Sequence, residues 1–141
     1  MKSSRNLDDL LPPVRARARA FLDACAAAGI DVLITSTLRD VEAQNALYAQ
    51  GRTAPGKIVT NARGGDSWHN WGCAIDFVPM LNGKCQWSDL ALFRRCGEIA
   101  EANGLEWAGR WTGPLREMAH CQFTGGLTLA DFKAGKTLKE Q

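Results

Sequence analysis

Apolar side chains at helical spacing give the first strong pattern in the chain. Two consecutive prolines, at positions 12 and 13, precede a stripe formed by Val14, Ala18, Phe21, Leu22 and Cys25. Proline favours the first turn of a helix and glycine favours its end, so the stripe predicts a helix over about residues 13–28 that Gly29 ends. The next run, IDVLITSTL, is rich in β-branched residues and predicts a strand.

The middle of the chain alternates structured and polar segments. VEAQNALYAQ predicts a second helix, with Asp40 as its N-cap and Gly51 at its end. Residues 52–66 are rich in glycine and polar side chains, which predicts a surface loop with room for one short strand. The apolar run CAIDFVPM predicts a buried strand.

The last third predicts one more long helix and a set of short elements. Ser88 or Asp89 caps a helix through about Ala102, which an Asn-Gly pair ends. Two short strands and a small final helix follow, at LEWAG, EMAHCQF and residues 128–134. No repeat or linker interrupts the pattern. We therefore expect one α+β domain over residues 1–141, a small, mostly antiparallel sheet packed with helices.

Composition narrows the classes of protein. The chain of 141 residues has 17 basic and 15 acidic side chains, a net charge of +2 that gives no electrostatic case for a nucleic-acid partner. Asp8, Asp9 and the two prolines stand where a signal peptide needs an apolar run, and no later run is long enough to span a membrane. We expect synthesis in the cytoplasm without a signal peptide and no membrane insertion.

The five cysteines form no C-x-x-C pair, which argues against a zinc ribbon or a thioredoxin-type site. We expect reduced, mostly buried thiols.

The segment SWHNWGCAID and the later EMAHCQF carry the candidate chemistry. His69, Asp76 and His120 supply three nitrogen and oxygen ligands, a common arrangement for a catalytic zinc whose fourth position takes water. Glu117, three residues before His120, could then act as general base. Each residue also has an ordinary alternative: a structural histidine, a buried hydrogen-bonding carboxylate, or a charge on the surface. Spacing alone leaves both interpretations open.

Three segments resemble one known family. SWHNWGCAIDF resembles the S-x-H-x-x-G-x-A-x-D signature of the VanY-like D-alanyl-D-alanine metallopeptidases, whose wider superfamily also includes the lysostaphin-type enzymes and hedgehog. TLRDVEAQNALYAQGRTAPGKIVTNA and WAGRWTGPLREMAHCQF resemble further blocks of that family, in the form found in the bacteriophage L-alanyl-D-glutamate peptidases, the endolysins. The matches run in the same order from about Ile34 to Phe123.

The resemblance implies roles for individual residues. One zinc ion would be held by His69, Asp76 and His120, with Glu117 as the catalytic base. Arg39 would contact substrate or stabilise charge on the attacked carbonyl, as a permanently charged guanidinium can. Ser67 matches a residue at the substrate-facing rim, and Gln44 matches a motif position, so both are candidate substrate-binding residues. Trp111 is a third candidate because its aromatic ring could line a groove for sugar or peptide, although core packing explains it equally well. The chain departs from the family pattern at Leu38, Asp40, Ala108, Leu115 and Glu117, the last of which replaces a more frequent aspartate.

The function that this resemblance implies is a zinc-dependent peptidoglycan endopeptidase of the endolysin type. It would cleave the L-alanyl-D-glutamate bond of the stem peptide, as a monomer without a separate wall-binding module. We expect release into the periplasm and cell wall to depend on a separate holin. Two alternatives stay open: a D,D- or L,D-carboxypeptidase or dipeptidase with the same chemistry, and a non-catalytic wall-binding or virion module.

Overall fold

The computed structural model describes residues 1–139, in which helices pack against a five-stranded sheet. The helices are α1 (Pro12–Ala27), α2 (Val41–Ala49), α3 (Leu90–Ala102) and α4 (Leu129–Lys133). The strands are β1 (Asp31–Ser36), β2 (Ala74–Leu81), β3 (Lys84–Cys85), β4 (Glu106–Trp107) and β5 (His120–Gln122). Every strand pair is antiparallel. The predicted α+β class is confirmed.

Strand β2 is the centre of the sheet. The order is β1-β2-β5-β4, and β3 pairs with the far end of β2. In this register Asp76 lies opposite Ser36 on one side and His120 on the other, so three polar residues stand side by side across three strands. The register of β1 shifts between Ile34 and Ser36. The sheet thus brings together residues that are far apart in sequence.

Strand alternation separates the core from the polar face. Ile75 and Phe77 are fully buried in the apolar core, and the side chain of Asp76 between them points to the opposite face. Phe77 meets Phe21 of α1 edge-to-face at 5.2 Å between ring centroids. Burying each of these rings stabilises the fold by about 1.5–3 kcal/mol. The apolar side of the sheet therefore holds β2 in the position that its polar side needs.

One glycine is required for close packing in this core. A Cβ on Gly97 of α3 would lie 2.1 Å from the ring of Trp107, far inside van der Waals contact. Helix α3 therefore packs directly on β4, and any larger residue at position 97 would push the two elements apart.

The element boundaries differ from the sequence prediction at a few points. Strand β1 ends at Ser36, two residues before the end of the predicted run. Residues 52–66 hold no strand, only a single bridge from Ala54 to Gln50. The LEWAG strand shrinks to β4 because a 3-10 turn begins at Ala108. All five cysteines are unpaired and only Cys85 is exposed. Among the described residues, no helix is both long and apolar enough to cross a membrane.

Candidate active site

Three elements place the predicted metal ligands at one point. Asp76 lies on β2 and His120 lies next to it on β5. His69 comes from a 3-10 turn, Trp68–Trp71, directly before β2. The Ser67 side chain caps this turn, and Gly72 closes it with a left-handed φ of 70°, a conformation that glycine adopts without strain. The turn folds His69 back over the strand that follows it.

The ligand atoms of these three residues converge. Nε2 of His69 and Nδ1 of His120 each lie 3.2 Å from Oδ1 of Asp76. One ligand atom from each residue lies within 4.8 Å of those of the other two, and both histidines are buried. The spacing of a few ångströms is suited to three ligands around one small cation.

The opposite nitrogen of each histidine is already hydrogen-bonded. Nδ1 of His69 lies 2.8 Å from the backbone oxygen of Thr37, and Nε2 of His120 lies 2.8 Å from Oε1 of Gln122. A carbonyl oxygen only accepts, so these nitrogens are the donors. The remaining nitrogen of each ring then faces the carboxylate and needs either a second proton or a cation between them. The site thus fits a metal ion, with the ligand tautomers set by Thr37 and Gln122.

The electrostatics keep Asp76 ionised. Burial by itself would raise the pKa of the Asp76 carboxyl, but hydrogen bonds from His120 and His69 outweigh it and hold the pKa well below its usual range. The pKa of His120 is raised. Burial is the largest single effect and lowers it, but the hydrogen bond and charge of Asp76, the hydrogen bond to Gln122 and the charge of Glu117 together outweigh burial. A permanent carboxylate between two imidazoles is a donor set typical of zinc.

Glu117 lies in the same cleft as the cluster. Desolvation raises the pKa of its carboxyl, and the nearby negative charge of Asp76 raises it further. A carboxylate with a raised pKa accepts a proton more readily than an ordinary surface glutamate, as a general base must. The structure therefore brings Glu117 together with the three candidate ligands.

Arg39 also lines the cleft, and Gln44 lies beneath it. Nη1 of Arg39 donates to Oε1 of Gln44 at 2.9 Å, and Nη2 donates to Oγ of Ser36 at 3.3 Å. Gln44 is fully buried, and its Nε2 donates to the backbone oxygen of Ala62 at 2.8 Å. Gln44 thus does not reach the cleft surface; it links Arg39 to the loop before the His69 turn. Nε of Arg39 is buried and has no partner among the described residues.

The two other candidate substrate-binding residues reach the cleft. Ser67 lines it, and its Oγ accepts the backbone N–H of His69 at 3.3 Å. Trp111 lines it too, with its ring 5.8 Å from that of His120 and its Nε1 donating to Glu106 at 2.9 Å. Both residues therefore touch the candidate ligands directly.

Peripheral segments that the sequence did not single out support the site. The N-terminal segment adds a short ladder: Thr37 N donates to Ser4 O, and Ser4 N donates to Leu38 O, each at 2.8 Å. On the other side, Phe132 of α4 is buried against Trp68 and Trp71, which flank His69, with ring centroids 5.7 Å away in each case. The two ends of the chain thus hold the two segments that carry Arg39 and His69.

Of the two groups that orient the histidines, one could be predicted from the sequence and the other could not. Gln122 lies two residues after His120 on one strand, so period-two alternation places both on the same face. Thr37 acts through its backbone oxygen, which no sequence pattern specifies.

The cleft that contains these residues has a volume of about 560 Å³. A family model described as VanY, D-alanyl-D-alanine carboxypeptidase, matches residues 8–119. The chain belongs to this family. The predicted resemblance and the prediction of a peptidase are confirmed, and the candidate ligands His69 and Asp76 fall inside the match while His120 follows it directly.

Two relatives named as L-alanyl-D-glutamate peptidases are similar to this chain in sequence. The peptidoglycan L-alanyl-D-glutamate endopeptidase CwlK of Bacillus subtilis (strain 168) is 42% identical to this VanY-family chain, over 73% of this chain and 67% of its own length. An L-alanyl-D-glutamate peptidase of a Listeria phage is 31% identical over 86% of this chain and 41% of its own length. This chain thus spans about two-thirds of the first relative and less than half of the second.

One solved structure extends the likeness of this VanY-family chain to the fold. The vancomycin-resistance D,D-pentapeptidase VanY, in complex with Zn(II), superposes with a TM-score of 0.62 at 16% identity, over 94% of this chain and 89% of its own. The fold prediction is confirmed by this likeness.

Proposed function

We propose that this chain is a zinc-dependent peptidoglycan endopeptidase that hydrolyses the L-alanyl-D-glutamate bond of the stem peptide. The observation that carries the proposal is the convergence of His69, Asp76 and His120 within 4.8 Å, in a cleft that also contains Glu117. The bond follows the two relatives, both described as L-alanyl-D-glutamate peptidases.

One zinc ion would be held by His69 Nε2, Asp76 Oδ1 and His120 Nδ1. Zinc bound there would act as a Lewis acid that polarises the carbonyl of the scissile bond. The choice of zinc is supported by the nitrogen and carboxylate donor set and by the Zn(II) complex of the VanY neighbour.

The protein's own residues transfer the proton and stabilise the charge that develops during the reaction. Glu117 takes a proton from the attacking water as the new C–O bond forms at the carbonyl carbon. It then gives that proton to the amine of D-glutamate as the C–N bond breaks, so the base ends the cycle unprotonated. Arg39 lies in the same cleft and stabilises the negative charge that develops on the carbonyl oxygen. The hydrogen bond that Arg39 donates to Gln44 holds Arg39 in place for this contact.

The second candidate is a carboxypeptidase with the same machinery, because the matching family model is described as D-alanyl-D-alanine carboxypeptidase. The open course of the cleft favours an endopeptidase. A second cavity adjoins it beyond Glu117 and shares Leu115 and Val59 with it, so a peptide can continue past the reaction point. A non-catalytic wall-binding or virion module is disfavoured, because binding alone does not require Glu117 beside a metal site.

The biological role that we propose is host cell lysis as a phage-type endolysin, supported by the phage relative. In this role the chain acts as one catalytic unit and a monomer, is made in the cytoplasm, and reaches the periplasm and cell wall with the help of a separate holin.

Digestion of purified peptidoglycan tests the reaction. The zinc-loaded protein should release fragments with new N-terminal D-glutamate, identified by mass spectrometry. Release of terminal D-alanine in their place would support the carboxypeptidase and contradict the endopeptidase. Wall binding with no cleavage would support the binding module.

A further inference from the structure

The cleft continues past Glu117 into a second cavity of about 520 Å³, called here the outer basin. The outer basin is lined by residues 59–62, Asp66 and residues 114–117. It shares part of its lining with the main cleft, namely Val59, Thr60, Ala62, Asp66, Leu115 and Glu117. A peptide held at the metal ligands therefore has a continuous path into the outer basin.

Two exposed apolar side chains border this path. Val59 is 57% exposed and Leu115 is 74% exposed, and both line the main cleft as well as the outer basin. Each comes from a different segment, the loop after α2 and the 3-10 turn before Glu117. Apolar surface at the rim of a cleft gains from being covered, so the pair is suited to contact the aliphatic part of a bound chain.

The charges of the outer basin favour a negative group beside this apolar pair. Two acidic residues line the outer basin. Asp66 forms an ion pair with Lys133 of α4, and Glu117 lies at the end that the outer basin shares with the main cleft. Arg116 donates through Nε to the backbone oxygen of Gly109 at 3.2 Å, and among residues 1–139 it has no acidic partner. A guanidinium with free N–H donors matches the planar geometry of a carboxylate.

We propose that the outer basin is a subsite for a carboxylate-bearing residue of the stem peptide, in which Arg116 binds the carboxylate and Val59 and Leu115 contact the aliphatic part. The inference rests on the proposed peptidoglycan substrate, and it identifies the group of the stem peptide that the enzyme recognises beyond the scissile bond. Stem peptides offer two sources of this chemistry, the free carboxylate of D-glutamate and the side-chain carboxylate of diaminopimelate. A form amidated at either position keeps the shape and loses the charge.

Matched stem-peptide fragments test whether the outer basin recognises the charge of the carboxylate. We would measure kcat and KM of the zinc-loaded protein on three fragments: both carboxylates free, only the D-glutamate carboxylate amidated, and only the diaminopimelate carboxylate amidated. Loss of a charged hydrogen bond should lower kcat/KM about tenfold for one amidated fragment, which identifies the source. Arg116→Gln should lower kcat/KM for the free form to that level and remove the difference. Arg94→Gln, an exposed arginine of α3 outside both cavities, should keep the difference.

A second pair of variants tests the apolar contact. Leu115→Ala should raise KM several-fold for every fragment, since it removes apolar contact without touching charge. Leu81→Ala is the matched control, because Leu81 is 58% exposed and lies outside both cavities. Both positions are exposed, so the variants should keep the thermal stability of the parent.

The outcomes separate the two proposals. Equal kcat/KM for all three fragments in the parent protein, or a preference that survives Arg116→Gln, overturns the subsite while leaving the proposed function in place. Failure of the parent protein to cleave any fragment overturns the proposed function, and the subsite with it.

Discussion

The metal-ligand cluster and the outer rim of the same cleft are built in opposite ways. At the cluster, His69 and His120 are buried and each ring is fixed by a second hydrogen bond to a neighbouring oxygen. At the rim, Val59 and Leu115 are mostly exposed and come from a loop and a short turn. Reaction chemistry needs atoms fixed to within a fraction of an ångström, whereas substrate selection can be left to segments outside the sheet.

This contrast starts from the sheet. Asp76 stands between Ser36 and His120 in a register that the apolar face enforces, because a shift by one residue would turn Ile75 and Phe77 outward. The rim has no comparable constraint. We therefore expect substitutions at the cluster and its supports to act on chemistry and metal binding, and substitutions at the rim to act on substrate choice.

The largest effect should come from Glu117. Glu117→Gln keeps the size of the side chain and removes the base, so kcat on peptidoglycan fragments should fall about 10²- to 10⁴-fold. Zinc content should stay at the parent level, since Glu117 is not among the three candidate ligands. Glu98→Gln, on the exposed face of α3, is the control. An active Glu117→Gln protein would contradict the assignment of the base.

The next largest effect should be a loss of zinc affinity when the hydrogen bond that orients His120 is removed. Gln122→Ala removes the acceptor that fixes the tautomer of His120, and loss of such a partner costs about 10- to 100-fold in metal affinity. Zinc affinity can be measured by competition with a chromogenic chelator. Gln86→Ala is the control: Gln86 is half-buried and lies outside the main cleft, so this variant should leave the zinc affinity unchanged. Equal affinities in the two variants would mean that Gln122 does not orient His120.

A smaller effect should follow from the support of Arg39. Gln44→Met keeps the buried volume but removes the acceptor of Arg39 Nη1. We expect a loss in kcat of about tenfold, the worth of one hydrogen bond to a charged group, with zinc affinity unchanged. A parallel loss of zinc affinity would show that Gln44 acts on the whole site and not through Arg39.

The smallest effect on kcat/KM should come from an exposed residue that lies just outside both cavities. Ile58 is 56% exposed, next to Val59, but lines neither the main cleft nor the outer basin. Ile58→Ser should change kcat/KM less than about twofold, as exposed substitutions usually do. A large loss for Ile58→Ser would extend the substrate contact beyond the two cavities.

The sequence predicts the cluster better than its surroundings, for a physical reason. His69 and Asp76 lie on one turn and the following strand, and Glu117 and His120 lie three residues apart, so local spacing and the family motifs include them all. Gln44 differs, because its motif position gave no hint that it is buried beneath Arg39 and does not reach the cleft surface.

Contacts between distant segments were harder to predict. The ladder between Ser4 and Thr37 and the packing of Phe132 against Trp68 join parts of the chain that no local pattern links. Residues 52–66 form a loop, as predicted, and the short strand for which the sequence left room is absent. Gln50 meets Ala54 in a local bridge, and no neighbouring strand pairs with the loop.

Zinc reconstitution tests directly whether the cluster holds a catalytic metal. We would strip the purified protein with a chelator, add zinc in measured steps, and follow the release of fragments with N-terminal D-glutamate. We expect no activity without metal and full activity at one zinc per chain, with neither zinc binding nor activity in His120→Ala. Cleavage by the metal-free protein, or stoichiometric zinc binding that survives His120→Ala, would contradict a catalytic zinc at His69, Asp76 and His120.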